Sequence, residues 1–409
     1  MLFGDIWRFK ILRVAMIYTT KIVILPKQYY PLTMNNISSA AFTDTKPHYK
    51  ILDGLRGVAA LIVIWYHIYE CFPPELHIFG HGYLAVDFFF MLSGFVIGYA
   101  YDSRWQTGKL TLKEFFKRRI IRLHPMVILG IVIGAVAFLI QGGVQWDGTK
   151  VTTSALMIGM LIAMFMVPAV PGTYPEVRGN GEMFPLNGPT WSLFFEYLAN
   201  IFYAIFLRRL STKSLAFFTV ASAIGLATFA VINPTGYGTL GVGWTIADYN
   251  FLGGILRVTF PFCAGLLLSR VFKPVKIKGA FWVCSVLLAA ILYIPFIGEC
   301  ENPLYNCIWE VCCIAFIFPL IVYLGASGNT TDKFSSGICK FLGDISYPLY
   351  IVHYPSMYLF YAYIGFPNTF RTPSETWIWQ IVLFAGNIIL AYAALKLYDE
   401  PVRKWLSKK

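Results

Sequence analysis

Apolar runs of membrane-crossing length dominate this chain and leave few folds open to it. A helix needs about 20 mostly apolar residues to cross the hydrocarbon core of a bilayer. Such runs fall at 52–72, 84–101, 120–140, 152–168, 190–207, 214–233, 251–270, 279–297, 306–325, 341–361 and 376–396. Composition agrees. Of 409 residues, 57% are hydrophobic and 13% charged, against about 25% charged in soluble domains. A water-soluble enzyme so composed would expose far too much apolar surface, and the chain is too apolar for disorder. With 34 Gly and 8 Cys it is neither collagen-like nor a disulfide scaffold. An all-α integral membrane protein remains. The net charge of +12 would suggest nucleic acid in a soluble protein. Here Lys and Arg crowd the cytoplasmic loops of a membrane protein, and no nucleic-acid partner is expected.

The charge asymmetry sets the number of crossings. Segment 152–168 is the shortest run, and a Pro-rich stretch follows it. If it lies re-entrant or peripheral, ten spans form one bundle with both termini cytoplasmic. The inner stretches then carry 21 Lys/Arg, and the outer stretches carry Lys150, Arg178 and Arg371. If 152–168 spans, every later loop flips and this asymmetry is lost. The positive-inside rule selects ten spans.

Two units follow. Residues 46–409 form the polytopic domain. Residues 1–45 are a basic N-terminal extension: a basic interfacial helix, or the product of an over-long translation start with Met34 the true one. Its apolar run is broken by Lys21 and lacks a clean cleavage site, so it is a poor signal peptide. Residues 1–33 are expected to be dispensable. No repeat appears at solenoid periods.

Ionisable residues inside spans are costly, so each is a functional candidate. Arg56 and His67 are eleven residues apart in the first span, close to three turns, and share one face. The alternative is a snorkelling arginine and a core histidine. Asp87, near the outer side of the second span, needs a partner, for which His67 and His81 lie at similar depth. Gly94 and Gly98 form a small-xxx-small packing pattern. In FFKRRIIRLHP, Arg119 and Arg122 share a helix face. They are either topological anchors or an anion clamp that grips phosphate in bidentate fashion. Trp191 and Ser192 sit at the start of the next span, with Glu196 a turn inside and no cation nearby in sequence. His353 falls near the bilayer middle. Asp87, Glu196, His67 and His353 are thus expected from mid-membrane outward, with the guanidinium groups on the cytoplasmic side.

Five segments carry a resemblance in order: LDGLRGVAALIVIWYH, GYLAVDFFFMLSGFVIG, FFKRRIIRLHP, NGPTWSLFFEY and GDISYPLYIVH. Together they span about residues 50–400 and resemble the acyltransferase-3 family of membrane-bound acyltransferases. The resemblance implies a ten-helix bundle in a bacterial inner membrane. It also implies transfer of an acyl group, usually acetyl from acetyl-CoA, to a hydroxyl of an extracytoplasmic glycan such as O-antigen or exopolysaccharide. The R/K-x10-H motif of the family falls on Arg56 and His67, and its RxxR motif on Arg119 and Arg122. Its WSL-x-x-E pattern falls on Trp191, Ser192 and Glu196. Its acidic position falls on Asp87 and its later histidine on His353. In this reading His67 takes the hydroxyl proton, with Asp87 or Glu196 as orienting carboxylates. Arg119, Arg122 and Arg56 hold the acyl-CoA phosphates. No metal is called for, since no ligand cluster has metal spacing.

The rival class is a transporter or flippase for a glycan or a lipid-linked intermediate. Intramembrane His, Asp, Glu and Arg suit proton-coupled transport equally well, but the two halves show no resemblance of the kind such folds often have. Cys300 and Cys307 flank a short loop expected outside. They either form a bridge or remain two thiols.

Overall fold

The computed structural model describes residues 48–73, 76–298, 303–330, 332–368 and 371–408. The 1–45 extension, Met34 and Cys300 lie outside them. Among the described residues there is no β-strand. The helices are α1 (Lys50–Tyr69), α2 (Ala85–Gln106), α3 (Leu112–Ile140), α4 (Thr153–Met164), α5 (Thr190–Ile205), α6 (Thr212–Ile232), α7 (Asn250–Val271), α8 (Ala280–Tyr293), α9 (Leu304–Ser327), α10 (Lys333–Ile364) and α11 (Pro373–Lys408). Eight of the described helices are long and apolar enough to cross a membrane. The shorter apolar ones are α4 and α8, and α10 runs for 32 residues. Every apolar run therefore became a helix.

Contacts along the helices give their directions. Arg119 meets Glu196, His124 meets Tyr197, and Gly134 lies against Leu186. Thus α3 and α5 run antiparallel, although α4 lies between them in sequence, so α4 adds no crossing. Asp87 pairs with Arg257 and Asp102 with Arg270, so α2 and α7 run parallel. Arg56 meets Ser346 while Tyr361 reaches the His67 carbonyl, so α1 and α10 are parallel too. One end of the bundle gathers Arg56, Arg119, Arg122 and Arg270 and is called the basic end here.

Close helix approach follows from small residues. A Cβ at Gly94 would sit 2.0 Å from the Phe262 carbonyl oxygen, and one at Gly265 2.0 Å from that of Met91. The Gly94/Gly98 pattern is thus a packing device that lets α2 lie against α7.

Two local rules place the functional segments. Thr111 and Glu114 form a capping box, with Thr111 Oγ1 accepting from the Glu114 N–H at 3.2 Å. The helix therefore starts ahead of the apolar run, and the KRRIIR turn is helical rather than loop. In α10, Pro355 has no N–H to give the Ile351 carbonyl. Asn187 Nδ2 donates to that carbonyl instead, at 2.8 Å. The loop before α5 is pinned there, deep in the bundle, and Gly188 N–H donates to the Tyr358 hydroxyl at 3.1 Å. The 16 residues of α5 therefore begin inside the protein rather than at its surface.

Candidate active site

Two neighbouring cavities lie inside the bundle. The one away from the basic end has a volume of about 390 Å³. Its walls include His67, Glu70, Glu182 and Arg257 with Tyr354, Tyr358, Tyr361, Trp146, Trp191 and Trp244. The other, of about 300 Å³, is walled by Arg56, Arg119, Arg122, Glu196, Ser93 and Tyr347 among others. Val86 and Tyr350 line both.

His67 is held by its own helix. Its Nδ1 lies 2.7 Å from Glu70 Oε2, one turn on. The Tyr361 hydroxyl donates to the His67 carbonyl at 2.5 Å and lies 3.2 Å from the same Glu70 oxygen, with Tyr354 at 3.4 Å. The Glu70 carboxylate thus faces both the His67 ring and the Tyr361 hydroxyl. A carboxylate only accepts, so His67 Nδ1 carries the proton and Nε2 is left with its lone pair for the cavity. His353 stacks close by, its ring centroid 5.3 Å from that of His67. It is fully buried. Its Nδ1 is within reach of the Leu349 and Tyr350 carbonyls, at 3.1 and 2.9 Å. It therefore lies behind His67 rather than in the cavity wall.

The carboxylates expected to orient His67 lie elsewhere. Asp87 pairs with neither His67 nor His81. It takes a bidentate contact from Arg257, with Nη2 2.5 Å from Oδ2 and Nε 3.2 Å from both oxygens. Both side chains are fully buried, and Arg257 also donates to the Val242 and Tyr83 carbonyls. A buried carboxylate without a cation would be strongly unfavourable, and α7 supplies one. His81 instead contacts the Ile294 carbonyl and Asn306.

Glu196 was expected toward the outer side with no cation near it. It lies in the basic-end cavity, where Arg119 Nη2 donates to Oε1 at 2.7 Å and Ser93 Oγ at 3.0 Å. The deep start of α5 accounts for the shift, since residues counted from the membrane face sit lower than sequence depth suggests. Arg56 is partly committed as well, to Ser346, the Gly343 carbonyl and Asp53. Arg122 is exposed and makes no hydrogen bond or ion pair among the described residues. Arg119 Nε is buried without a partner. These two guanidinium groups retain donors for an anion.

Sequence reasoning passed over Glu70, Arg257 and Tyr350. Glu70 and Arg257 are ionisable residues inside apolar runs, and that signal was available for both. Glu182 was hidden in a loop. Burial pushes its carboxyl up to about 7, against the Tyr358 hydroxyl that donates to it and the nearby Arg178. Cys307 is buried, with Sγ 3.5 Å from the Gly238 carbonyl oxygen.

The profile of a family described as an acyltransferase domain matches residues 49–396. Protein 2 in the picA locus of Rhizobium radiobacter is 32% identical over 44% of this chain and 93% of its own. A putative O-acetyltransferase of Staphylococcus aureus is 24% identical over 86% of this chain and 57% of its own. A peptidoglycan O-acetyltransferase of Listeria monocytogenes is 25% identical over 86% of this chain and 55% of its own. The chain thus spans just over half the length of these last two relatives. No solved structure matches it.

Proposed function

This chain belongs to the acyltransferase-3 family, and we infer that it acts as a multi-pass membrane O-acyltransferase. We propose that it transfers an acetyl group from acetyl-CoA to a hydroxyl of a cell-envelope glycan, in a bacterial inner membrane. The observation that carries this reading is the pair of neighbouring cavities that share Val86 and Tyr350 in their walls. Arg56, Arg119 and Arg122 line one, and a carboxylate-held histidine lines the other. The positive-inside rule puts the basic end in the cytoplasm, where CoA is available.

The thioester donor enters from the basic end. Its phosphates engage Arg122 and Arg119, with Arg56 further along the wall. Arg56 and His67 are about 16 Å apart along the helix axis, a separation that suits an extended donor such as the pantetheine arm of CoA. The glycan enters the outer cavity, where aromatic walls suit the apolar faces of sugar rings and leave the hydroxyls to polar groups. His67 Nε2 accepts the hydroxyl proton as the oxygen attacks the thioester carbonyl carbon. The new C–O bond forms and the C–S bond breaks. The proton on His67 passes to the departing sulfur, so free CoA thiol and an O-acyl ester are the products. Glu70 stabilises the imidazolium formed in between, and His353 backs the ring.

The test uses purified protein in nanodiscs with labelled acetyl-CoA and an envelope glycan fraction of the host. Base-labile label on the glycan, with release of one CoA thiol per ester, is expected. Glycan uptake into proteoliposomes without any ester would instead establish the transporter reading.

A further inference from the structure

The walls of the outer cavity offer acceptors and have already spent most of their hydroxyl donors. Tyr361 and Tyr354 donate to Glu70 Oε2 at 3.2 and 3.4 Å. Tyr358 donates to Glu182, and Tyr83 to Glu310, a buried residue of α9. Trp244 Nε1 donates to the Gly241 carbonyl at 3.2 Å. Besides His67, the charged groups among the described lining residues are Glu70, Glu182 and Arg257. The Arg257 charge is matched by Asp87. Arg178 is fully buried against the Tyr358 ring, 3.5 Å from its centroid, and donates to the Pro185 carbonyl and Gln141 Oε1 at 2.6 and 2.7 Å.

We infer that the sugar unit acylated in this cavity carries no carboxylate or phosphate, and that Glu182 enforces their exclusion. The inference rests on the reading above, in which the glycan enters the outer cavity. A sugar hydroxyl brings a proton to give, and the carboxylate and tyrosine oxygens of these walls can take it. An ionised carboxylate brings only lone pairs. It would shed water, find the tyrosine hydroxyls committed, and approach Glu70 and Glu182 with like charge. Leaving a charge unpaired is one way a site rejects a ligand of acceptable shape.

Glu182 is the part of this arrangement that pH and substitution can adjust, since Glu70 holds His67. It lies in the loop before α5, outside the helices. Burial raises its carboxyl to about 7 against the Tyr358 hydroxyl and Arg178, and Glu70 adds a smaller push in the same direction. Its negative charge therefore grows as pH rises through about 7, and the exclusion should grow with it.

The experiment uses the protein in nanodiscs and the envelope glycan that it labels. One portion of that glycan is oxidised at its primary alcohols to uronic acids. Part of this product is converted to the primary amides, which resemble the carboxylates in shape but carry no charge. Both forms are tested as competitors of transfer to the unmodified glycan. At about pH 8 the amide form should inhibit at roughly tenfold lower concentration than the carboxylate form, or better. In wild type that ratio should fall several-fold at about pH 6, where Glu182 is mostly protonated. In Glu182→Gln it should be small at both pH values. If Glu182→Gln does not fold, the pH dependence of the wild type decides. Equal inhibition by the two forms at both pH values, or inhibition by neither, would overturn the exclusion while leaving the acyltransferase reading standing. A ratio that changes with pH in Glu182→Gln as it does in wild type would overturn the role of Glu182. Absence of label on the unmodified glycan would overturn the underlying reading and this inference with it.

Discussion

Nδ1 of His67 lies 2.7 Å from Oε2 of Glu70, one helical turn away, in the wall of the outer cavity. The pairing fixes the tautomer and leaves Nε2 as the basic nitrogen. A negative charge beside the ring also favours the imidazolium that proton abstraction creates. Glu70→Gln keeps the shape but removes the charge. It should lower kcat about tenfold or more with little change in donor KM, because general-base contributions run to about 10²–10⁴-fold. A variant that retains wild-type kcat would leave the pairing a structural contact.

The basic-end cavity predicts a different kinetic signature. Arg122→Ala should raise the KM for acetyl-CoA and spare kcat, since its guanidinium is exposed and bound to nothing else described. Lys at 122 should restore little, because an ammonium cannot grip phosphate in bidentate fashion. Arg119→Ala should also lower the folded yield, because it strips Glu196 of its cation. Donor titrations that give the wild-type KM for both variants would reduce these residues to topological anchors.

Asp87 and Arg257 are assigned to architecture. Removing one partner of a buried ion pair costs about 3–5 kcal/mol, so Asp87→Asn should sharply reduce folded yield and melting temperature. The fraction that folds should keep most of its kcat. Full folded yield combined with lost turnover would return Asp87 to the catalytic machinery.

Depth and partnership explain what could be read from the chain beforehand. The helices were legible because membrane crossing demands long apolar runs, and α4 stood out by its length. That His67 lines one cavity and Arg119 and Arg122 the other follows from spacing on one helix face, which is local geometry. The partners of Asp87 and Glu196 were not. Arg257 lies 170 residues from Asp87 and Arg119 lies 77 from Glu196, so only the packing of distant helices joins them. The depth of Glu196 depends on Asn187 occupying the carbonyl that Pro355 leaves open, a contact between residues far apart in the chain.

Glu182 gives a pH-dependent expectation. Its folded carboxyl is raised from 4.5 to about 7 by burial. Between those values the unfolded chain releases this proton while the folded protein keeps it. Folded stability from this group is therefore full below about 4.5 and declines as pH rises to about 7. Melting temperature in detergent should fall less across that window in Glu182→Gln than in wild type. Parallel melting curves for the two proteins would show that Glu182 titrates normally.

On the proposed mechanism His67 takes the hydroxyl proton in an acyl transfer from CoA. Ester formation on the envelope glycan by matched amounts of folded wild-type and His67→Ala protein in nanodiscs, with labelled acetyl-CoA at saturation, tests it most directly. A fall of about 10²–10⁴-fold is expected in His67→Ala, with donor KM near the wild-type value. Transfer by that variant at more than about a tenth of the wild-type rate would contradict it.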